Sequence, residues 1–350
     1  MPRRRKTKQI KVGNTYIGSE NEISVQSMLN VPSCDIEGSV RQAIELEKAG
    51  CQIIRAAVPD SQALDLIPAL KENVGVPIVA DIHFDYRLAL ESVERGVDKI
   101  RINPGNIGSD DNVKKVADAC RKNNVPIRIG VNSGSLEKNV LEKYGGVTPE
   151  AMVESAMYHV SLLNRYDFDD IVISIKSSDV SKMINAYRII AEKCDYPLHL
   201  GVTEAGTYKQ SYVKSCVGIG SLLMDGIGDT IRVSMTDDPV REVECGNDIL
   251  RALSLKKDVP TLVSCPTCGR TKIDLISLAK QVEEQLKNCK KSIKVAVMGC
   301  VVNGPGEAKD ADIGIAGGDG CAVIFKKGEI FKKVSEDEVV RELMAEINKM

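Results

Sequence analysis

The chain has 350 residues, of which 43 % are hydrophobic, and its 47 basic and 49 acidic side chains leave a net charge of only −2. This length exceeds what one hydrophobic core usually serves, so we expect two domains. The charge balance argues against nucleic-acid or membrane partners, and no apolar stretch approaches the roughly 18–20 residues of a membrane span. The eleven cysteines lack the spacing of a secreted disulfide framework, so we expect reduced thiols and a cytoplasmic protein.

Short β-branched runs alternate with amphipathic stretches from about residue 20 to residue 250, which is typical of a parallel α/β fold. Two helical stretches, at 39–49 and 86–95, end at Gly50 and Gly96, as helices often do. Eight βα units favour a closed TIM (β/α)8 barrel over an open doubly wound sheet, which would normally carry a glycine-rich phosphate-binding fingerprint. The predicted strands span residues 23–28, 52–58, 77–82, 99–103, 126–131, 171–176, 197–202 and 230–235.

Several of these strands alternate apolar with polar residues, although a parallel strand buried on both faces should be apolar throughout. In the fourth strand, Ile100 and Ile102 share one face while Arg101 and Asn103 share the other. If the isoleucines meet the outer helices, the polar residues point into the barrel near its carboxyl-terminal rim, where active sites of this fold lie. This polar set comprises Arg101, Asn103, Arg128, Asn132, Ser174, Lys176, Arg232 and Ser234.

Arg55, Asp81 and His83 join the polar set, which then contains five basic side chains that would repel one another. The arrangement predicts a phosphorylated ligand, because guanidinium groups bind phosphate oxygens in a bidentate manner. The alternative is that each arginine forms a structural ion pair with a carboxylate such as Asp81 or Glu204. For His83, a purely structural role is a further alternative.

Two glycine-rich segments, at 218–220 and 225–229, predict tight turns before the eighth strand. The domain boundary is expected within 254–260, where a charged stretch ends at a proline, so that a barrel at 1–254 precedes a second domain at 260–350. The second domain is expected to be a small α/β domain. Its predicted elements are a helix at 273–286, strands near 293–297, 313–316 and 322–325, and a closing helix at about 336–348.

The second domain carries Cys265 and Cys268 at C-x2-C spacing, and Cys300 in a turn rich in glycine and proline. No second C-x2-C pair follows, and the three histidines of the chain all lie upstream, so a two-cysteine, two-histidine zinc finger is excluded here. Three thiolates with an open position suit an iron-sulfur cluster. The alternatives are a zinc ribbon that uses Cys289 or Cys321 as its fourth thiolate, and buried, inert thiols.

Six segments of the chain resemble the 4-hydroxy-3-methylbut-2-en-1-yl diphosphate synthase family, in order and along essentially the whole length. They lie at residues 25–28, 99–106, 201–206, 226–234, 265–270 and 298–307. The resemblance implies a barrel that binds 2-C-methyl-D-erythritol 2,4-cyclodiphosphate, followed by a domain with one 4Fe-4S cluster per chain. The family opens this cyclic diphosphate reductively and removes a hydroxyl as water, which yields 4-hydroxy-3-methylbut-2-enyl diphosphate in the non-mevalonate isoprenoid pathway.

The same resemblance implies roles for individual residues. Cys265, Cys268 and Cys300 would ligate the cluster with Glu307 as a labile fourth ligand, and Glu204 is the candidate for proton delivery. The implied diphosphate-binding residues are Arg55, Arg101, Arg128, Lys176 and Arg232, assisted by Asn103, Asn132 and Ser234, with His83 as a further candidate.

The implied electron donor is flavodoxin or ferredoxin, which delivers electrons one at a time. The linker after the last barrel helix is short, and together with the resemblance it predicts a homodimer with composite active sites. A different class of function is a non-redox pterin- or phosphate-binding barrel synthase with a structural zinc domain. Metal analysis and the visible spectrum of protein purified without oxygen would separate the two classes.

Overall fold

A computed structural model describes the protein at residues 4–18, 20–257, 259–287, 289–300, 308–318 and 320–350. The chain divides into two compact units, of which the first ends at Leu255 and the second begins at Lys256. None of the described helices is both long enough and apolar enough to cross a bilayer.

Within the described residues, the first unit contains a two-stranded hairpin and eight parallel strands. The hairpin joins β1 (Ile10–Val12) to β2 (Thr15–Ile17). The parallel strands are β3 (Ser24–Met28), β4 (Ile53–Ala57), β5 (Ile78–Asp81), β6 (Lys99–Ile102), β7 (Ile127–Asn132), β8 (Ile171–Lys176), β9 (His199–Leu200) and β10 (Thr230–Ile231). Their order is β8-β7-β6-β5-β4-β3-β10-β9, and a bridge between Ile173 and Leu198 joins the two edges of the sheet. The predicted TIM barrel is confirmed.

Helices follow the strands and cover the outside of the barrel. They are α1 (Ile36–Lys48), α2 (Leu66–Asn73), α3 (Tyr86–Glu94), α4 (Asp110–Asn123), α5 (Lys138–Tyr144), α6 (Pro149–Asn164), α7 (Val180–Lys193), α8 (Tyr208–Met224) and α9 (Pro239–Ala252). Short 3-10 turns at Gln62–Asp65, Pro104–Asn106 and Ser133–Ser135 lie between them. Asp35, Asp85 and Asp179 begin α1, α3 and α7, because each carboxylate accepts a hydrogen bond from a backbone N–H of the first turn.

The two faces of the barrel strands differ in composition. Outward-facing residues such as Ile100 and Ile102 pack with the helices in one hydrophobic core. Apolar inward residues cluster at the amino-terminal end of the barrel, where the hairpin closes the bottom. This plug consists of Ile10, Val12, Ile17, Ile53, Val79 and Val172. The inward positions above the plug are mostly polar, as the alternation of residue types predicted.

Some local predictions need correction. The segment 218–220 is not a turn but part of α8, and that prediction is wrong. A Cβ at Gly218 would lie 2.8 Å from Met183 Cε and 2.9 Å from Val202 Cγ2, so the glycine allows the helix to pack closely instead. The turn at 225–229 is confirmed, with Gly226 at a φ of 77°. Ladder pairing in β9 and β10 is shorter than predicted and covers two residues in each strand.

The second unit contains a five-stranded sheet in its described residues. Its strands are β11 (Thr261–Ser264), β12 (Lys294–Met298), β13 (Ile313–Gly318), β14 (Cys321–Lys326) and β15 (Glu329–Val334), in that order across the sheet. The first three are parallel and the last two antiparallel. Helices α10 (Leu275–Leu286) and α11 (Val339–Lys349), the latter after a 3-10 turn at Glu336–Glu338, share one core with the sheet. The edge strands β11 and β15 were not predicted, because neither consists of consecutive buried apolar residues.

Candidate functional site

The barrel interior gathers the predicted cations. Arg55, Arg101, Arg128 and Lys176 are between 1 and 8 % exposed, and Arg232 is half-buried. Strand register confirms that neighbouring members share a face, since Arg101 pairs with Arg128 across β6 and β7, and Asn132 pairs with Lys176 across β7 and β8. The side chains therefore project from fixed backbone positions into one enclosed space.

Asp81 lies among the arginines at the end of β5. Its carboxylate is 3.2 Å from a terminal nitrogen of Arg101 and 3.7 Å from Nε of Arg55, and His83 Nε2 lies 3.7 Å away. Burial alone would raise the pKa of Asp81, but the charge of Arg55 and the contacts with His83 and Arg101 hold that pKa well below its usual range. The carboxylate is therefore ionised and offsets part of the positive charge.

Arg232 has a carboxylate partner of its own. Glu242 Oε1 lies 3.1 Å from a terminal nitrogen of Arg232 and also accepts the backbone N–H of Met235 at 2.9 Å. The other oxygen of Glu242 accepts from the hydroxyl of Ser27 at 3.1 Å, and Arg232 also donates to Ser234 Oγ. Glu242 thus orients the arginine from below the rim, a role that no sequence pattern indicated.

Gly130 allows Arg101 to cross the neighbouring strand. A Cβ at this position would lie 2.3 Å from Arg101 Nε. With no side chain there, Arg101 donates to the Gly130 carbonyl at 3.0 Å, and the Gly130 N–H donates to Asn103 Oδ1 at 3.0 Å. The glycine in the polar face of β7 is therefore a steric requirement of the site.

Arg128 and Lys176 have no carboxylate partner among the described residues, and Nε and one terminal nitrogen of Arg128 have no hydrogen-bond partner there either. Burial above all, and then the charges of Arg55 and Arg101, lower the pKa of Arg128. Burial, followed by the charges of Arg55 and Arg232, lowers the pKa of Lys176. The interior thus holds more cations than its carboxylates neutralise, and an anion would relieve the repulsion.

The remaining barrel candidates lie toward the rim. Asn132 and Ser234 are half-buried, whereas the side chain of His83 is 58 % exposed. Glu204 is exposed in the segment that follows β9, and its φ of 50° is a left-handed conformation that residues other than glycine seldom adopt. Such strain is concentrated at functional sites.

Sequence reasoning missed an inward layer nearer the plug, which contains Lys99, Gln26 and His199. The signal was present, because Lys99 lies two residues before Arg101 and so has the same strand parity.

Sequence reasoning also missed the hydrogen bonds that hold the loop after β6. The Gly105 N–H donates to Nδ1 of the buried His159 at 3.1 Å, and His159 Nε2 lies 2.9 Å from a Glu137 oxygen. Burial would raise the pKa of Glu137, but the bond to His159 lowers it to about 2. This network holds the segment that carries Asn103.

The three cysteines of the second unit follow adjacent parallel strands. Cys265 comes directly after β11 and Cys300 follows β12, so both lie at the carboxyl edge of the sheet. The Gly299 N–H donates to Cys265 Sγ at 3.1 Å. Cys268 is exposed, and hydrogen bonds from the backbone and side chain of Arg270 lower the pKa of its thiol. An N–H donor to sulfur and a readily ionised thiol fit a cluster bound through thiolates.

Glu307, the fourth implied ligand, lies outside the described residues. No three His, Cys, Asp or Glu side chains within residues 4–300 and 308–350, apart from single gaps at 19, 258, 288 and 319, are close enough together to hold a metal ion. The argument that these residues could hold a cluster therefore depends on two observations. The candidate ligands are thiols, and they follow strands at the same edge of the sheet.

The two cysteines proposed for a zinc ribbon differ in their distance from Cys265. Cys289 follows α10 before β12, so it lies at the opposite edge of the sheet from Cys265 and Cys300. Cys321 pairs with Gly318 at the carboxyl end of β13 and so lies at the same edge as Cys265, but β14 is three strands away from β11, or roughly 14 Å at the usual spacing of about 4.8 Å per strand. Neither position suits a fourth thiolate beside Cys265.

Comparison with known proteins agrees with this division of the chain. Residues 7–247 match the GcpE TIM-barrel domain, and residues 261–349 match the GcpE protein C-terminal domain. The barrel also resembles dihydropteroate synthase from Stenotrophomonas maltophilia, with a TM-score of 0.53 at 13 % identity over 70 % of this chain and 97 % of that one. At that identity the likeness concerns the fold alone.

Two relatives of nearly full length carry the name 4-hydroxy-3-methylbut-2-en-1-yl diphosphate synthase (flavodoxin). One from Caldanaerobacter subterraneus subsp. tengcongensis is 59 % identical over 99 % of this chain and 98 % of its own. Another from Clostridium perfringens is 58 % identical over 97 % of this chain and 98 % of its own. With both domain matches and these identities, the chain belongs to the 4-hydroxy-3-methylbut-2-en-1-yl diphosphate synthase family.

Proposed function

We propose that the protein converts 2-C-methyl-D-erythritol 2,4-cyclodiphosphate to 4-hydroxy-3-methylbut-2-enyl diphosphate in the non-mevalonate isoprenoid pathway. The reaction consumes two electrons and two protons. The ring C–O bond to phosphate breaks, the neighbouring hydroxyl leaves as water, and a carbon–carbon double bond forms. The observation that carries the proposal is the pair of buried cations, Arg128 and Lys176, that find no carboxylate among the described residues of a chain in this family.

The barrel residues bind and orient the diphosphate. Arg55, Arg101 and Arg232 are already held by carboxylates, so their guanidinium groups are positioned before the ligand arrives. Arg128 and Lys176 supply positive charge that no carboxylate of the described residues pairs with. Charged hydrogen bonds of this kind are about twice as strong as neutral ones, which suits recognition of phosphate oxygens.

Polar residues around the cations complete the binding site. The side-chain oxygen of Asn103 accepts a hydrogen bond from the Gly130 N–H, so the side-chain amino group is the part that donates to the ligand. Asn132, Ser234 and His83 extend the set of donors toward the rim.

Glu204 is the residue that we assign to proton delivery. Its carboxyl group follows β9 at the carboxyl-terminal rim, where active sites of this fold lie, and its left-handed backbone conformation supports a functional constraint. In this role it donates a proton to the departing hydroxyl.

We assign the cluster site to Cys265, Cys268 and Cys300, with Glu307 as the fourth ligand. A 4Fe-4S cluster bound there supplies electrons singly. Flavodoxin, which the names of the relatives contain, or a ferredoxin is the proposed donor. None of the cysteines, all of which are described, forms a disulfide, which supports a reducing cytoplasmic location.

We further propose a homodimer in which the cluster-bearing unit of one chain completes the barrel site of the other. The Leu255 N–H donates to the Leu250 carbonyl and β11 begins at Thr261, so only residues 256–260 connect the two units along the chain. Five residues span at most roughly 17 Å. The 14-residue α9 alone is about 21 Å long and ends away from the active rim. A linker of that length favours completion of the site by a second chain.

Mixed dimers test this arrangement. Cys300→Ser homodimers should be inactive, and Arg101→Ala homodimers should have little activity at substrate concentrations well below their weakened affinity. Under those conditions activity should rise when the two chains are unfolded together and reassembled, because each heterodimer has one intact site. Inactive heterodimers, or a fully active monomer, would contradict shared sites.

The reaction itself is tested with holoenzyme prepared without oxygen. Cyclic diphosphate and reduced flavodoxin should give the open-chain diphosphate, and protein without iron should give none. An active, colourless protein that contains stoichiometric zinc would instead support the non-redox barrel synthase, which the names of the relatives do not favour.

A further inference from the structure

The barrel contains a second buried polar layer between the plug and the phosphate-facing cations. Lys99 pairs in register with Val79, a plug residue, and its strand reaches Arg101 two residues later. Lys99 and His199 are completely buried, and Gln26 is 1 % exposed. Since Gln26 pairs with the inward-facing Ile53, it lies on the same interior surface.

The polar atoms of this layer lack partners. Lys99 Nζ, His199 Nε2 and both polar atoms of the Gln26 side chain have no hydrogen bond within the described residues. Only Nδ1 of His199 is engaged, at 2.7 Å from Thr230 Oγ1. Buried groups of this kind are usually satisfied by ordered water, so the layer has the character of an internal solvent site.

The surroundings of Lys99 are strongly positive. The carboxylate of its sequence neighbour Asp98 already pairs with Lys71, whose Nζ lies 2.7 Å away. The same carboxylate accepts a hydrogen bond from the Ile78 N–H at 2.8 Å. Burial first, and then the charges of Arg128 and Arg55, lower the pKa of Lys99. The titratable and charged groups that the other barrel strands direct inward are Arg55, Asp81, Arg128, Lys176, His199 and Arg232.

We propose that the Lys99 amine takes up a proton from solvent when the dianionic cyclic diphosphate binds in the layer above it. The resulting ammonium adds attraction for the phosphates, while water in the polar layer solvates it. This inference rests on the proposed binding of the diphosphate by the barrel cations. In this role Lys99 lies beneath the ligand and does not contact the reacting atoms. It acts by positioning the ligand and through its charge.

The proton uptake would result from a change in the electrostatic potential at Lys99 when the ligand binds. In the protein without ligand, the surrounding cations disfavour a further positive charge, whereas a bound dianion favours it. The pKa of Lys99 is lowered in the free protein and should be higher in the complex. Between these two pKa values, binding is coupled to proton uptake and therefore weakens as pH rises. The affinity should therefore fall with increasing pH in that interval.

Calorimetry of the anaerobic holoenzyme tests the proposal. Titration with cyclic diphosphate at a fixed pH near 8.5, in buffers of different ionisation enthalpy, measures the protons taken up. Lys99→Met should take up as much as about one proton fewer than wild type, with roughly five- to tenfold weaker affinity. At this pH an ordinary histidine is already neutral, so histidines should contribute little.

Two further variants and a stability measurement complete the test. His83→Gln and His199→Gln should retain the uptake, and Lys99→Met should melt no lower than wild type because it removes an unpartnered buried amine. Binding without proton uptake in wild type, or an uptake in Lys99→Met equal to that of wild type, would overturn the role of Lys99. Absence of any binding to wild type would instead count against the proposed function.

Discussion

In the barrel, the candidate ligand-binding side chains project from strands, whereas in the second unit the candidate metal ligands lie on loops that follow strands. The barrel cations are buried and are oriented by protein groups, chiefly Asp81, Glu242 and Gly130. The thiols have fewer partners, and Cys268 is exposed. The fold therefore preorganises the candidate anion site, whereas we expect the candidate thiol site to need its bound group to bring the ligands together.

The largest effect should come from removal of a single thiolate. Cys265→Ser, Cys268→Ser and Cys300→Ser should each lose the brown colour, about four irons per chain and all activity, because the three thiolates act as one unit. Iron and sulfide analysis with visible spectroscopy measures this. Cys289→Ser and Cys321→Ser are the matched controls and should keep both colour and iron. Loss of iron in either control would place the cluster elsewhere.

Removal of one barrel cation should have a smaller effect, because its neighbours remain in place. Arg101→Ala should weaken binding of the cyclic diphosphate by about 1.5–3 kcal/mol, or roughly ten- to a hundredfold. Binding should also weaken with salt, as calorimetry at two ionic strengths would show. Arg188→Ala is the control, since Arg188 pairs with Asp225 on the outer surface. Equal affinity for Arg101→Ala and wild type would refute the anion site.

A methyl group at Gly130 tests whether the site is preorganised. Gly130→Ala should push Arg101 from its position and weaken diphosphate binding roughly tenfold, while the protein stays folded. Gly220→Ala is the matched control, because a Cβ at Gly220 would meet nothing within 4 Å. Binding by the control should equal wild type, with a stability gain of up to about 1 kcal/mol. If both variants bind alike, the close approach of Arg101 does not matter.

The smallest effect concerns the loop after β6. Because the pKa of Glu137 is depressed to about 2, its contribution to stability should be fully present above the ordinary value of 4.5 and lost as pH falls toward 2. Glu137→Gln should therefore lower the melting temperature at pH 7 by the equivalent of about 1–2 kcal/mol, less at pH 4, allowing for partial solvent screening. An equal deficit at both pH values would contradict this explanation.

Much of the barrel and its candidate site was predictable, and the misses have physical causes. The inward position of Arg101, Arg128 and Lys176 followed from the two-residue period of a strand. Glu242 was missed because it lies on a helix, where no strand parity applies. Gly218 was misassigned because tertiary packing against Met183 and Val202 overrode the low helix propensity of glycine.

The sequence by itself determined which strand residues share a face and the order of the βα units, and it predicts which thiols bind together. These features depend on local periodicity and spacing, which a single segment carries. Only the tertiary structure decided that Asp81 pairs with both Arg55 and Arg101, that the hairpin plugs the barrel, and that Lys99 has no hydrogen-bond partner among the described residues. Such pairings depend on strand register and barrel closure, which bring together residues far apart in the chain, and no local pattern encodes them.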